Sequence, residues 1–172
     1  MSAVGSALTT TRSARLPARI EPIFAGPRAL FLPSSNSADQ EVAAATADID
    51  AALDTVAAAM PVRQARTLVG LAGSVATVTG IAIGLPVYDS ARIHHARASA
   101  AEVHAVASRL LAQTRAERAR IGVMHPGRVD VIGGGALVLT EIMDRFGFGE
   151  VLVSEHDILD GLAWSLAPGT DR

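Results

Sequence analysis

Residues 67–84, TLVGLAGSVATVTGIAIG, contain no charged side chain and dominate the prediction of the fold class. The uncharged run continues to Tyr88 and is long enough to cross a bilayer, but four glycines, three threonines and a serine lower its hydrophobicity. TLVGLA is typical of a short buried strand, Gly73 and Ser74 of a strand-to-helix turn, and SVATVTGIAIG of a helix packed behind that strand. The stretch therefore predicts a strand–turn–helix unit in a soluble protein without a membrane partner.

Three capping boxes mark the starts of helices elsewhere in the chain. They begin at Ser37, Ser99 and Thr114 and predict helices over 41–60, 101–113 and 115–122. The first of these helices carries an apolar stripe at helical spacing, formed by Val42, Ile49, Leu53 and Val56. Its acids lie on the other side, at Asp48, Asp50 and Asp54, where a solvated face is favoured over a carboxylate site.

Short strands alternate with these helices. Strands are predicted near 92–98 and at EVLVS, 150–154, and a final helix over 156–167. The Ser-, Thr-, Arg- and Pro-rich segment 1–36 has scattered arginines without an apolar run, which predicts a poorly ordered leader with one short strand near 28–32. The alternation indicates an α/β or helix-rich α+β class.

Composition excludes several classes of function. The formal net charge of −2 gives no electrostatic case for nucleic acid, and every fixed side-chain cation is an arginine, whose rigid fork suits phosphate. There is no cysteine, so thiolate catalysis and cysteine-ligated metals are excluded. The five histidines show neither H-x-x-x-H nor H-E-x-x-H spacing, so no histidine metal site is predicted.

Two glycine-rich segments are candidates for phosphate binding. Gly70, Gly73 and Ser74 would let a phosphate or ribose approach the backbone at a helix N-terminus, or they serve only close docking of that helix on the sheet. The second segment, RVDVIGGGALVL at 128–139, superficially resembles the D-x-G-G-G-S phosphate loop of the actin and sugar-kinase superfamily. It has one residue too many after the acid, and Ala136 replaces the hydroxyl. The apolar spacing from 128 to 146 instead predicts one helix whose glycines serve packing.

Three motifs in order resemble the C-terminal half of the exopolyphosphatase / guanosine-pentaphosphate phosphohydrolase (Ppx/GppA) family. They are LVGLAGSVATV, HPGRVDVIGGGALVLTEIM and VSEHDILDGLAWSL, and the likeness extends over roughly residues 28 to 166. The resemblance implies one lobe of an actin-like, ribonuclease-H-type ATPase-superfamily fold. It also implies hydrolysis of phosphoanhydrides in polyphosphate or in guanosine pentaphosphate or tetraphosphate, in the cytoplasm, with Mg²⁺ in the complete family.

The resemblance assigns the candidate site to Gly70, Gly73, Ser74 and Arg128, as phosphate or nucleotide contacts. It assigns no catalytic residue and no metal ligand, because the first lobe of the family carries the Asp-Gly-Ser-Asn turn, the glutamate that positions water and the Asp-x-Gly-Gly-Gly-Ser-x-Glu loop. These patterns do not occur in the sequence. The expected organisation is a leader at 1–27, a C-terminal lobe at 28–168 and a tail at 169–172.

An incomplete lobe leaves three hypotheses open. The chain is a lobe of a hydrolase that is inactive alone, a non-enzymatic module that binds nucleotide or polyphosphate or serves dimerisation, or a gene remnant. A lobe that lacks its neighbour exposes apolar surface, so we expect it to form a homo-oligomer or to associate with an intact family member.

Overall fold

The computed structural model describes residues 37–166, which form a helix-rich α/β structure around a small sheet. The predicted leader and its strand near 28–32 lie outside these residues. The described elements, in chain order, are α1 Ser37–Ala59, β1 Leu68–Leu71, α2 Ala72–Ala82, α3 Ser90–Ile93, β2 Arg97–Ser99, α4 Ala100–Ala112, α5 Arg115–Arg118, α6 Ile132–Phe146, β3 Glu150–Ser154 and α7 Ile158–Leu166. Short 3₁₀ turns cover Val62–Gln64 and Pro126–Arg128.

Strand β3 is the centre of the sheet, whose order is β1-β3-β2. It pairs in parallel with β1, with Gly70 opposite Val153, and antiparallel with β2, with Ala98 opposite Val151. Val151 and Val153 are fully buried and alternate with partly exposed neighbours, as the period of a strand requires. The strands predicted at 67–72 and 150–154 are thereby confirmed.

The main core lies between α4, α6 and the sheet. Fully buried Val103 and Leu110 of α4 pack against Ile132 and Met143 of α6. The opposite side of α6 packs against α1, where Ala45, Ile49 and Leu53 of α1 are buried against Leu137 of α6. The predicted stripe of the first helix is therefore its packing face. Asp48 and Asp54 are exposed, and Asp54 forms a surface ion pair with Arg145.

Two of the predicted capping boxes are present. Ser99 Oγ accepts a hydrogen bond from the Glu102 backbone N–H at 3.3 Å, and the Glu102 carboxylate accepts from the Ser99 N–H at 2.8 Å. Thr114 and Glu117 form the same reciprocal pair at the start of α5. These hydrogen bonds lower the pKa values of both glutamates, because they stabilise the charged carboxylates.

The strand predicted over 92–98 was largely wrong. Residues Ser90–Ile93 form the helical turn α3, and only Arg97–Ser99 pair with the sheet. The reason is local, because the Asp89 side chain accepts a hydrogen bond from the Arg92 N–H and caps the turn.

The continuous helix predicted over 128–146 was wrong at its start. Helix α6 begins at Ile132, and Arg128 belongs to the preceding 3₁₀ turn. The N–H of Arg128 donates to the His125 carbonyl and that of Val131 donates to the Arg128 carbonyl. These i-to-i+3 bonds keep the segment in tight turns until the α-helical pattern starts with Gly135 donating to Val131.

The turn expected at Gly73 and Ser74 also differs from the structure. Strand β1 passes directly into α2, and Gly73 and Ser74 lie within the first helical turn. Ala72 makes the change of direction with φ of 67°, in the left-handed region. Along residues 37–166, no helix combines the length and apolar character needed to cross a membrane.

Candidate functional site

Arg128 lies against the first turn of α2. A Cβ on Gly73 would overlap the Arg128 guanidinium, so the absence of a side chain at residue 73 provides the space that this group occupies. The same guanidinium donates from Nη1 to Thr77 Oγ1 at 3.3 Å, one turn further along α2. Arg128 is half-buried, and none of the ion pairs among residues 37–166 includes it. Its charge is thus held at a helix N-terminus without a carboxylate partner there.

The turn before α6 determines where Arg128 lies. Pro126 opens a 3₁₀ turn, and the His125 ring accepts a hydrogen bond from the Gly127 N–H at Nδ1, at 3.1 Å. Proline is suited to this first position because its fixed φ matches the turn and its missing N–H has no partner to lose. The segment His125–Arg128 therefore folds as a local unit that projects the arginine towards α2.

The N-terminal turns of α2 and α6 lie side by side. A Cβ on Gly135 would lie 2.6 Å from Ser74 Oγ, so these two small residues allow the helices to approach closely. Neither helix has a side-chain capping hydrogen bond. The first N–H groups of a helix favour an anion, and here two such ends lie near one arginine.

Gly70 has a packing role in the sheet. It is buried, and a Cβ there would overlap Val75 of α2 and lie 3.0 Å from Val151 of β3. Gly133 likewise contacts Leu111 and Arg118 across the helix interface. Gly133 and Gly135 thus serve helix packing, as the apolar spacing predicted, whereas Gly73 lies against Arg128.

A surface recess of about 360 Å³ opens beside Arg128. Tyr88, Arg128 and the segment 122–126 line it. The Tyr88 hydroxyl hydrogen-bonds both carboxylate oxygens of Glu155, at 2.9 and 2.7 Å. Partial burial and this carboxylate raise the pKa of Tyr88 to about 12, although the nearby Arg128 acts in the opposite direction. The recess is therefore bordered by a guanidinium and by a neutral, anchored phenol.

The structure places Arg128 against Gly73, two of the predicted site residues, and puts Ser74 against Gly135. Tyr88, Thr77 and Glu155, which also lie around Arg128 or its recess, were not predicted from the sequence. Glu155 lies within the third motif, VSEHDILDGLAWSL, and its place in that motif was the available signal. Tyr88 carried no local signal, since its partner is 67 residues away.

The Mg²⁺ that the resemblance implied for the complete family has no fitting donor set in the described residues. Across 37–166, no group of three or more histidine, aspartate or glutamate side chains could hold a metal ion. What the arrangement offers chemically is a half-buried cation, two helix N-termini without side-chain caps and a small recess, which together suit an oxyanion.

Comparison with known proteins identifies the family. The sequence model of the Ppx/GppA phosphatase family matches residues 28–169. The chain is 45% identical over 132 residues to exopolyphosphatase 2 of Mycobacterium tuberculosis, an alignment that covers 74% of this chain and 41% of that protein. It is 35% identical over 95 residues to a bifunctional 3-dehydroquinate synthase/phosphatase of Fusobacterium nucleatum, covering 55% of this chain and 14% of that protein. The chain thus spans well under half the length of these relatives.

Solved structures show the same lobe. An exopolyphosphatase-like protein superposes with a TM-score of 0.72 at 34% identity, covering 73% of this chain and 42% of that one. The Ppx/GppA family member of Aquifex aeolicus gives a TM-score of 0.67 at 19% identity, over 78% of this chain and 43% of that one. These likenesses confirm the predicted class, a helix-rich α/β lobe of the actin-like type. The chain belongs to the Ppx/GppA phosphatase family.

Proposed function

We propose that this chain forms one wall of the substrate cleft of an exopolyphosphatase-type phosphoanhydride hydrolase, and that Arg128 binds the phosphates of the substrate. The observation that carries the proposal is the placement of the Arg128 guanidinium over Gly73, at the uncapped start of α2. A guanidinium matches two phosphate oxygens at once, and the helix N–H groups add further donors. The relative named exopolyphosphatase 2 supports polyphosphate as the substrate class. Guanosine pentaphosphate or tetraphosphate is the nucleotide alternative.

The chain alone contributes binding and not turnover. Attack on a terminal phosphoryl group needs a carboxylate that orients water and charge stabilisation at the leaving oxygens. Residues 37–166 offer no group of side chains that could hold a metal, and the Glu155 carboxylate is bound to Tyr88. The chemical groups would come from a first lobe opposite this wall.

A binding titration tests the role of Arg128. Fluorescently labelled polyphosphate is titrated into the purified chain, into Arg128→Ala and into Arg109→Ala, which removes an exposed arginine of α4 and changes the net charge equally. Loss of one charge-assisted contact of about 1.5–3 kcal/mol should weaken binding by about tenfold or more in R128A only. Equal loss in both variants would show unspecific electrostatic attraction and would contradict the proposal.

Phosphate release tests the second half of the proposal. With Mg²⁺ and polyphosphate or guanosine pentaphosphate, the purified chain should release no phosphate above the rate without protein. Turnover that persists through purification and is abolished by Glu155→Gln would show that the chain is an enzyme by itself.

An association module is the second candidate function. It is favoured by α7, whose Ile158, Leu159, Leu162, Trp164 and Leu166 are all more than half exposed. The edge strand β1 also exposes Val69 and Leu71. Contiguous apolar surface of this kind marks interaction sites, and an identical copy or an intact family member are the partners that a lobe of this family would meet.

A further inference from the structure

Three imidazole rings lie together where the turn before β2 meets the end of β3. The ring of His94 lies 3.8 Å from that of His95, measured between centroids, and 4.6 Å from that of His156. His94 is the middle member of this imidazole cluster. It is half-buried, whereas His95 and His156 are exposed. Two positive charges at such distances repel one another, so the cluster favours neutral imidazole rings.

A hydrogen bond fixes the protonation state of the middle ring. The backbone N–H of Glu155 donates to Nδ1 of His94 at 3.2 Å. An imidazole nitrogen that accepts a hydrogen bond carries no proton, so the neutral tautomer of His94 has its proton on Nε2. Protonation of Nδ1 would convert this acceptor into a donor facing another donor, and the bond would be lost.

The cluster holds the junction 154–157, which links β3 to α7. The N–H of His95 donates to the Val153 carbonyl at 2.8 Å, and the N–H of His156 donates to Ser154 Oγ at 3.1 Å. The Glu155 carboxylate accepts from the Tyr88 hydroxyl. Helix α7 beyond the junction has no buried residue, so these contacts fix the point at which the helix leaves the sheet.

We propose that the imidazole cluster is a pH-sensitive latch, which holds the β3–α7 junction at neutral pH and releases it when His94 gains a proton. The latch requires no metal and no ligand. Because Glu155 also anchors Tyr88, release of the junction would extend to the recess beside Arg128.

The sign of the effect follows from the groups that face His94. Partial burial lowers its pKa first, and the charges of His95 and His156 lower it further, whereas the Glu155 carboxylate raises it by a smaller amount. A group whose pKa is lower in the closed state disfavours that state when it is protonated. The latch is therefore closed above the ordinary histidine pKa of about 6.5 and opens as the pH falls below it.

Amide hydrogen exchange of the full chain tests the latch. The protection factor of the Glu155 N–H, measured by NMR between pH 7.5 and 5, should fall by up to tenfold per pH unit below about 6.5, the limit set by one proton. The amides of the core helix α4 should keep their protection over the same range. Constant protection at Glu155, or a parallel fall in α4 that signals global unfolding, would overturn the proposal.

Two variants of the cluster and one control make the test specific. His94→Asn keeps an acceptor at the position of Nδ1 but cannot be protonated, so its Glu155 protection should be independent of pH. His156→Asn removes a charge that disfavours protonation of His94 in the closed state, so the fall in Glu155 protection at low pH should become smaller. His104→Asn, whose wild-type ring contacts Asp144 outside the cluster, should behave as the wild type. The same pH response in His94→Asn as in the wild type would overturn the latch.

Discussion

The guanidinium of Arg128 fills the position that a side chain on Gly73 would need. The atoms involved are Cζ, Nε and Nη2, the far end of a flexible side chain. The absence of a side chain on residue 73 thus sets the position of the Arg128 charge. A substitution at residue 73 can displace this charge without a change in the core.

We expect Gly73→Ala to displace the guanidinium while the fold persists. The arginine end can swing away, so the free energy of unfolding should change by less than about 1 kcal/mol, the range usual for sites outside the core. Polyphosphate binding should weaken as in Arg128→Ala, because the charge leaves the start of α2. The double variant should bind no more weakly than Arg128→Ala alone, measured by the same titration. Additive losses would mean that the two residues act separately.

The crossing of α2 and α6 gives a stability prediction. In Gly135→Ala the new methyl group would lie 2.6 Å from Ser74 Oγ and 2.8 Å from Ser74 Cβ, so the helices must separate. Such overpacking should lower the free energy of unfolding by about 1–3 kcal/mol in urea denaturation. The penalty should shrink when the same change is made in a Ser74→Gly background. An equal penalty in both backgrounds would place the cost elsewhere.

Ala72 is strained, and glycine should relieve the strain. Its φ of 67° costs a residue with a Cβ about 1–2 kcal/mol, whereas glycine adopts it freely but loses about 0.5–1 kcal/mol of chain entropy on folding. Ala72→Gly should therefore raise the free energy of unfolding by up to about 1 kcal/mol, and Ala72→Val should lower it. Denaturation midpoints in urea report both changes, and a destabilised glycine variant would contradict this account.

Tyr88 is the only tyrosine of the chain, so its titration can be followed by ultraviolet absorbance. The phenol should ionise with a pKa of about 12, with circular dichroism confirming that the protein stays folded. Glu155→Gln removes a hydrogen-bonded charge that disfavours the phenolate, so the pKa should fall towards 10. Arg128→Ala removes a neighbouring cation, so the pKa should rise instead. Shifts of the same sign in both variants would show that neither residue faces the phenol as described.

Self-association should depend on α7. Light scattering after size-exclusion chromatography should show species larger than a monomer at tens of micromolar, because Ile158 and Trp164 expose 82% and 66% of their surface. Leu162→Glu should shift the protein towards the monomer, whereas Ala163→Glu adds the same charge to the same helix as a control. A monodisperse wild-type monomer would refute association through this helix.

The features that the sequence predicted correctly are those that need only near neighbours. Strand β3 follows from the alternation in EVLVS, and the helix starts at Ser99 and Thr114 follow from hydrogen bonds that span three residues. The family resemblance also rests on local motifs, and these contain both Arg128 and Gly73.

What only the tertiary structure decided are the contacts between residues far apart in the chain. The left-handed backbone at Ala72 is one such feature, because a residue with a Cβ adopts this conformation only where the surrounding structure imposes it. The Tyr88 hydroxyl hydrogen-bonds the carboxylate of Glu155, which is 67 residues away in the chain. The His94 ring accepts from the Glu155 N–H, which is 61 residues away. The sequence alone determined which residues carry charge, hydroxyl and imidazole groups. The distances between these groups were set by the packing of β3 between β1 and β2, and so were the recess beside Arg128 and the imidazole cluster. Hydrogen bonds and close charge contacts act over only a few ångströms, and only folding brings residues far apart in the chain within that range.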